Sequence, residues 1–268
     1  MIDVDVVILS LCDSDEKFRM NCDCLGSLIA SEENSAVKFH VAIVESNPAF
    51  ELKYNQDVDV VIPKEPFNYN RFVNIGLSRA SRLRRSPWFC ISNNDVIFTK
   101  GWMDRILHVA NANPGLQSFS PYDPNSKYQQ TVIRNAKRPR SFFEGYRVRS
   151  ELVGWCIIMR NEILTKVAPF DEQFDYYYQD NDYSYTLRRH NIKHALVPES
   201  IVYHLESMTS KAAEGYYYSD RGAADEQKFL DKWGSYKSLH RKNKIHGILN
   251  RLGMGAGAYF LYSRAINF

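Results

Sequence analysis

The sequence predicts an α/β fold: a mainly parallel sheet covered by helices on both faces, followed by a helical C-terminal tail. Three observations carry the prediction. Short apolar, β-branched runs alternate with stretches of helical period through the N-terminal half. The runs are apolar at consecutive positions, the pattern of strands buried on both faces. Polar groups follow directly on three of them, Ser10 to Asp13, Glu45 to Asn47 and Asn93 to Asp95. In an open α/β sheet, ligands bind outside these carboxyl ends.

In chain order, residues 4–11 read as a buried strand and 16–30 as a helix. Residues 39–44 form a second strand, and 58–62 a third, stopped by Pro63. A helix over 70–83 turns Phe72, Val73, Leu77 and Ala80 inward. A strand at 88–92 and a helix at 102–110 follow. Residues 120–150 are rich in Pro, Asn, Lys and Arg without clear period and read as a long functional loop. Beyond it come a strand at 152–159, a short helix at 162–167, a helix at 179–190, and short strands at 195–197 and 201–204. The tail from Gly222 onward looks helical. The expected division is a domain over 1–220 and a helical extension over 221–268 packed on it.

The 268 residues are 44% hydrophobic and 24% charged, enough for a sizeable core, and a formal charge of +3 selects no partner by itself. Cys12, Cys22, Cys24, Cys90 and Cys156 are odd in number and contain no C-x-x-C pair, which argues against a zinc ribbon and a disulfide framework and for reduced thiols. The N-terminus lacks a basic start and apolar stretch, and no run reaches the length of a membrane span, so the expected location is cytoplasmic, the host cytoplasm if the chain is viral.

Asn93 and Asp95, two apart after a strand, turn their oxygens to the same side of an extended chain and suit Mg²⁺ or Mn²⁺. Asn-Asn-Asp is also good turn chemistry. Asp180 and Asp182 stand at the start of a helix, where an acid can cap it or accept a proton at its mouth. His204 ends a short strand, as a structural histidine or as a third metal ligand.

Four segments then combine. Val41-Ala42-Ile43-Val44-Glu45-Ser46 is a strand ending in an acid. Phe67-Asn68-Tyr69-Asn70-Arg71-Phe72-Val73-Asn74-Ile75-Gly76-Leu77 is a helix with Asn-x-Gly. Ser92-Asn93-Asn94-Asp95 precedes Gly101-Trp102. The longest set comprises Gly154-Trp155 with the strand to Arg160, residues 167–174, Tyr178-Gln179-Asp180-Asn181-Asp182, and Val197-Pro198-Glu199 with the strand to His204. In this order they resemble the inverting family 2 glycosyltransferases, which have the GT-A fold. Asn93-Asn94-Asp95 is similar to the Asn-Pro-Asp variant of the D-x-D motif. The resemblance extends over residues 4–204. The chain departs from the pattern at Asn93 for the first acid of D-x-D, at Gln179 for a glutamate, and at Ser10-Leu11-Cys12-Asp13 for Thr-Tyr-Asn.

The resemblance implies transfer of a sugar from a nucleoside-diphosphate sugar, of the UDP or dTDP type, to an acceptor hydroxyl. Asp180 is the implied base. Asp95, Asn93 and His204 are implied at a Mn²⁺ or Mg²⁺ ion. Glu45, Ser10, Asn70 and Asn94 are implied near the nucleotide, and Trp155 and Asp182 near the acceptor. Trp155 equally suits a buried aromatic position.

The long loop carries Lys127, Arg134, Lys137, Arg138, Arg140, Arg147 and Arg149, with Tyr128, Phe142, Phe143 and Tyr146 interleaved. That mixture fits phosphate contacts and base stacking, with Arg138 and Arg140 as acceptor contacts. The same run equally suits a solvated loop balanced by acids elsewhere; read as a contact surface, it points to a polyanionic acceptor, such as DNA carrying a hydroxymethylated base, as some bacteriophage glycosyltransferases modify. The alternatives are a surface glycan or its lipid-linked precursor, and a non-catalytic nucleotide-sugar or glycan-binding module. Arg241, Lys242, Lys244 and Arg251 beside Ile245, Ile248 and Leu249 would suit peripheral contact with an anionic membrane.

Overall fold

The computed structural model describes residues 1–49, 54, 58–83, 86–205 and 222–235. Strand β1 (Ile2–Ser10) runs through the sheet with β2 (Val37–Glu45) parallel on one side and β4 (Trp88–Asn93) parallel on the other. A strand so placed is buried on both faces, which is why Val4 through Leu9 are all apolar or shielded. Side chains alternate across it. Val4, Val6 and Ile8 enter one core with α1 (Asp15–Ser31) and α3 (Trp102–Ala112). Val7 and Leu9 enter a second core with α2 (Tyr69–Leu83) and α6 (Gln179–Arg189).

Local chemistry fixes these helices. Ser14 caps α1, accepting from the Lys17 N–H, and Asp15 and Glu16 complement its N-terminal dipole. Helix α2 comes close to the sheet because Gly76 has no side chain: a Cβ there would stand 2.5 Å from Val7 Cγ1 and 2.7 Å from Cγ2.

Strands β3 (Asp59–Val61), β5 (Val96–Phe98), β6 (Leu116–Tyr122), β8 (Cys156–Arg160) and β9 (Lys193–His204) complete the path β3-β2-β1-β4-β8-β6-β9-β5. Strand β7 (Phe143–Glu144) pairs with β9 off this path. The fold is the α/β sheet flanked by helices that the sequence predicts. The sheet is more mixed than alternating strands and helices suggest, because β8 runs antiparallel between β4 and β6.

Three boundaries differ from expectation. Residues 120–150 are not a structureless loop: they hold the end of β6, α4 (Lys127–Arg134) and β7. Helix α4 is anchored by buried Gln129, which donates to the Pro121 carbonyl and accepts from the Asp123 N–H, so an amide does the work expected of an apolar residue. The strand expected at 152–159 begins at Cys156. The two short strands expected at 195–204 are one strand, β9, which pairs first with β6 and then, beyond a register shift, with β5.

A short helix, α5 (Leu164–Val167), precedes α6, and α7 (Ala223–Trp233) packs on α6. Residues 236–268, with the basic and apolar tail, lie outside the described residues. All five cysteines are free, and burial pushes Cys12 up to about 11 and Cys24 up to about 12. No helix of the described residues is long and apolar enough to cross a membrane.

Candidate active site

The carboxyl ends of β1, β2 and β4 carry the polar groups, and a hydrogen-bond chain ties them together. Asn94 donates from Nδ2 to Asn21 Oδ1, Asn21 from Nδ2 to Ser10 Oγ at 2.6 Å, and Ser10 to Glu45 Oε2. The Glu45 carboxylate also accepts from the backbone N–H groups of Cys12 at 3.0 Å and Asn47 at 2.7 Å. Glu45 is 0% exposed, so its acceptors are turned inward. Ser10 and Glu45 therefore hold the β1–α1 and β2 ends in register. Sequence reasoning missed Asn21; the signal for it was a polar residue on the inward stripe shared with Cys24, Leu25 and Leu28.

Asn93 ends β4, and the chain bends through Asn94 and Asp95 into β5. This bend replaces the extended geometry expected to aim Asn93 and Asp95 alike. Asp95 gains its neighbour across the sheet instead. Val96 pairs with His204 in the antiparallel β5–β9 ladder, and the Leu205 N–H closes it on the Asp95 carbonyl at 2.9 Å. Asp95 Oδ2 lies 3.3 Å from His204 Nε2. The His204 ring stacks on Trp155, centroids 5.0 Å apart and planes 7° apart.

Gly154-Trp155 is the strip to which the other groups attach. The Trp155 carbonyl accepts from the Asn93 N–H at 2.9 Å, and the Gly154 carbonyl from the Tyr69 hydroxyl at 3.1 Å. On the same side stands Asp180: a Cβ on Gly154 would lie 3.0 Å from its Cβ and 3.2 Å from its Oδ2. Burial pushes the Tyr69 phenol up, and the carboxylates of Asp180 and Asp95 add to it.

Asp180 lies in the first turn of α6. Burial raises its carboxyl above the ordinary aspartate value, against the pull of the Asn181 N–H at 2.8 Å and the Arg149 charge. The preceding residue but one, Tyr178, starts α6 with φ 63° and no side-chain cap. For a residue other than glycine that conformation costs on the order of 1 kcal/mol.

The other expected site residues divide between inward contacts and exposed positions. Asp182 is 5% exposed and faces α7, meeting Lys232 Nζ and Trp233 Nε1, each at 2.7 Å. Asn70 donates to the Asp171 carbonyl at 2.8 Å, tying α2 to the segment before α6. Arg138 and Arg140 are exposed on the segment between α4 and β7. Of the aromatics expected as a stacking platform, Phe143 is buried, Phe142 packs against the core and the Tyr146 hydroxyl donates to the Ile192 carbonyl; Tyr128 alone among them is exposed.

Among the described residues, no group of three His, Cys, Asp or Glu side chains is gathered to hold a metal ion. The donor pair Asp95–His204 nevertheless suits one. Two adjacent ligands at about 2.1 Å from an octahedral ion stand about 3 Å apart, the remaining positions being filled by water and substrate phosphate. The 3.3 Å separation is close to that.

No protein-family model matches the sequence, and no curated protein sequence matches it. Solved structures do match. A crystal structure of GalNAc-T7 with UDP, GalNAc and Mn²⁺ superposes with a TM-score of 0.57 and 10% identity, over 76% of this chain and 43% of that one. Residues 1–349 of TarS from S. aureus superpose with a TM-score of 0.52 and 13% identity, over 75% of this chain and 60% of that one. Both are GT-A-type glycosyltransferases. The fold is GT-A. This chain thus spans less than two thirds of either neighbour's length. Within the GT-A frame, the Asp95–His204 pair, the Gly154-Trp155 strip and Asp180 gather around the carboxyl ends of the central strands.

Proposed function

We propose that the protein is an inverting glycosyltransferase that uses a nucleoside-diphosphate sugar of the UDP or dTDP type. The observation that carries this reading is the Gly154-Trp155 strip, with Asp180 packed on Gly154 and His204, paired to Asp95, stacked on Trp155. A proton acceptor and a pair suited to an ion thus flank one strip of chain, as displacement at a sugar requires. Asp95 and His204 would hold Mn²⁺ or Mg²⁺, which supplies charge neutralisation at the leaving diphosphate.

Asp180 takes the proton of the acceptor hydroxyl as that oxygen bonds to the anomeric carbon. The bond from that carbon to the diphosphate breaks, and the nucleoside diphosphate leaves with the electron pair. A carboxyl raised by burial is a stronger base than a solvated one. Ser10, Glu45 and Asn94 act by holding the loop ends that would receive the nucleotide.

Arg149 beside Asp180, with exposed Arg138 and Arg140 on the preceding segment, supports an acceptor that carries negative charge. The inward placement of most of the loop aromatics removes much of the support for base stacking. A polyanionic surface glycan or lipid-linked precursor is therefore preferred over hydroxymethylated DNA.

Asp180→Asn tests the reading. Turnover should fall by roughly 10²- to 10⁴-fold, with donor affinity measured by calorimetry left within about twofold. Near-wild-type turnover would remove Asp180 from the mechanism. Wild-type protein that binds a UDP- or dTDP-sugar with Mn²⁺ yet never releases the nucleotide would establish a binding module. Anionic glycan, lipid-linked glycan and hydroxymethylated DNA offered as acceptors separate the remaining choices.

A further inference from the structure

Helix α7 belongs to none of the motifs that suggested a function, but its polar side chains reach the segment that carries Asp180. Residues 225, 228, 229, 232 and 233 share one face, at the three- and four-residue spacing of a helix. Asp225 is 1% exposed, and its Oδ2 accepts from the N–H of Tyr177 at 2.9 Å and of Tyr176 at 3.4 Å. Lys228 meets Asp225 Oδ1 at 2.7 Å and donates to the Gln173 carbonyl at 2.8 Å. The Phe229 ring lies 5.3 Å from that of Tyr178. Lys232 bridges Asp171 at 2.6 Å and Asp182 at 2.7 Å.

These contacts bracket Asp180, holding residues 171–178 before it and Asp182 after it. A carboxylate so deeply buried persists only where partners satisfy it. The partners of Asp225 are Lys228 and two amides of the turn that ends at Tyr178. That turn has the left-handed backbone from which α6 departs, a conformation that persists where its surroundings over-determine it.

We infer that Asp225 is a positioning residue for Asp180: by fixing the turn over Tyr176 and Tyr177, it sets where the first turn of α6 presents that carboxylate beside Gly154. The inference rests on the reading of Asp180 as the base. The charged and titratable side chains bearing on Asp180 are Arg149, from the segment between β7 and β8, and Tyr69, from α2. Both stand on other elements, so Asp225 works through the backbone rather than by its charge.

The first measurement needs no substrate. Carbon-13 NMR follows the Asp180 carboxyl, assigned with Asp180→Asn, in wild type, Asp225→Ala and Asp225→Asn. All are held at a temperature where their melting curves remain on the native baseline. In Asp225→Ala the turn loosens and water reaches the carboxyl, so its titration midpoint should fall toward the ordinary aspartate value. Asp225→Asn keeps an oxygen for the Tyr177 N–H and should stay near wild type. In the second measurement, UDP release from UDP-GalNAc with Mn²⁺, Asp225→Ala should lower kcat by about 10- to 100-fold, the scale of a slight misplacement, with KM within about twofold. Asp225→Asn should recover most of the rate. A purely structural role would leave the Asp180 midpoint in place and lower the rate only as folded protein is lost. An unchanged midpoint in Asp225→Ala overturns the inference and leaves the base assignment standing. Full turnover in Asp180→Asn overturns the base assignment and this inference with it. Should Asp225→Ala not fold, Phe229→Leu, which loosens the packing on Tyr178, carries the same expectation at smaller amplitude.

Discussion

At the scale of single residues, the proposed metal role rests on one pair, Asp95 and His204, which stand 3.3 Å apart. Removing the imidazole by His204→Ala leaves Asp95 without its 3.3 Å neighbour and Trp155 without its stacked ring. In a Mn²⁺ titration of UDP-sugar turnover, the half-saturating concentration should rise by about tenfold or more, since even outer partners of metal ligands are worth 10- to 100-fold. An unchanged half-saturation would exclude His204 as a ligand. The positions of Asp95, Asp180 and His204 were legible in the sequence, because two acids and a histidine stand at strand ends and a helix start, where polar groups collect at one edge of an open sheet. Asn21 and Asp225 were not. Their roles come from neighbours distant in sequence, such as Asn21 with Ser10 and Asn94, and the local sign of Asn21 is no more than one polar residue on an inward stripe.

At the scale of elements, legibility followed apolar period. Strands β1, β2 and β4 and helices α1, α2 and α3 bury continuous apolar surface and were found within a few residues. Strand β6 was hidden because Ser118 and Ser120, both fully buried, bond to His194 instead of packing as hydrocarbon. Strand β5 is only three residues long, and its partner is more than a hundred positions away. Helix α2 illustrates how tightly one element can depend on one small residue. Gly76→Ala would drive a methyl group into stiff, central Val7, at a cost of about 1–3 kcal/mol. Urea denaturation should show the midpoint falling with its slope unchanged. A midpoint equal to wild type would mean that α2 shifts off the sheet freely.

For the whole molecule, His194 links folding to pH. It is 0% exposed and held neutral, its Nε2–H donated to the Glu151 carbonyl at 3.0 Å and its Nδ1 accepting from the Ser118 hydroxyl at 2.8 Å. Burial lowers it from 6.5 to about 4. The unfolded chain therefore binds a proton that the folded chain refuses. The stability contributed is present above pH 6.5 and is lost as pH falls toward 4, an amount of order 3 kcal/mol. Denaturation from pH 7 to pH 4 should show that slope in wild type and a flatter one in His194→Gln. The β5–β9 ladder has a consequence of another kind, in the order of synthesis. Strands β1 to β4, the parallel half of the sheet, leave the ribosome before β9 exists. Val96 then waits for His204, and at about 5–20 residues per second that wait is on the order of ten seconds. Throughout it β5 stands without the strand that pairs with it, so Asp95 and His204 come together only when one of the last strands arrives.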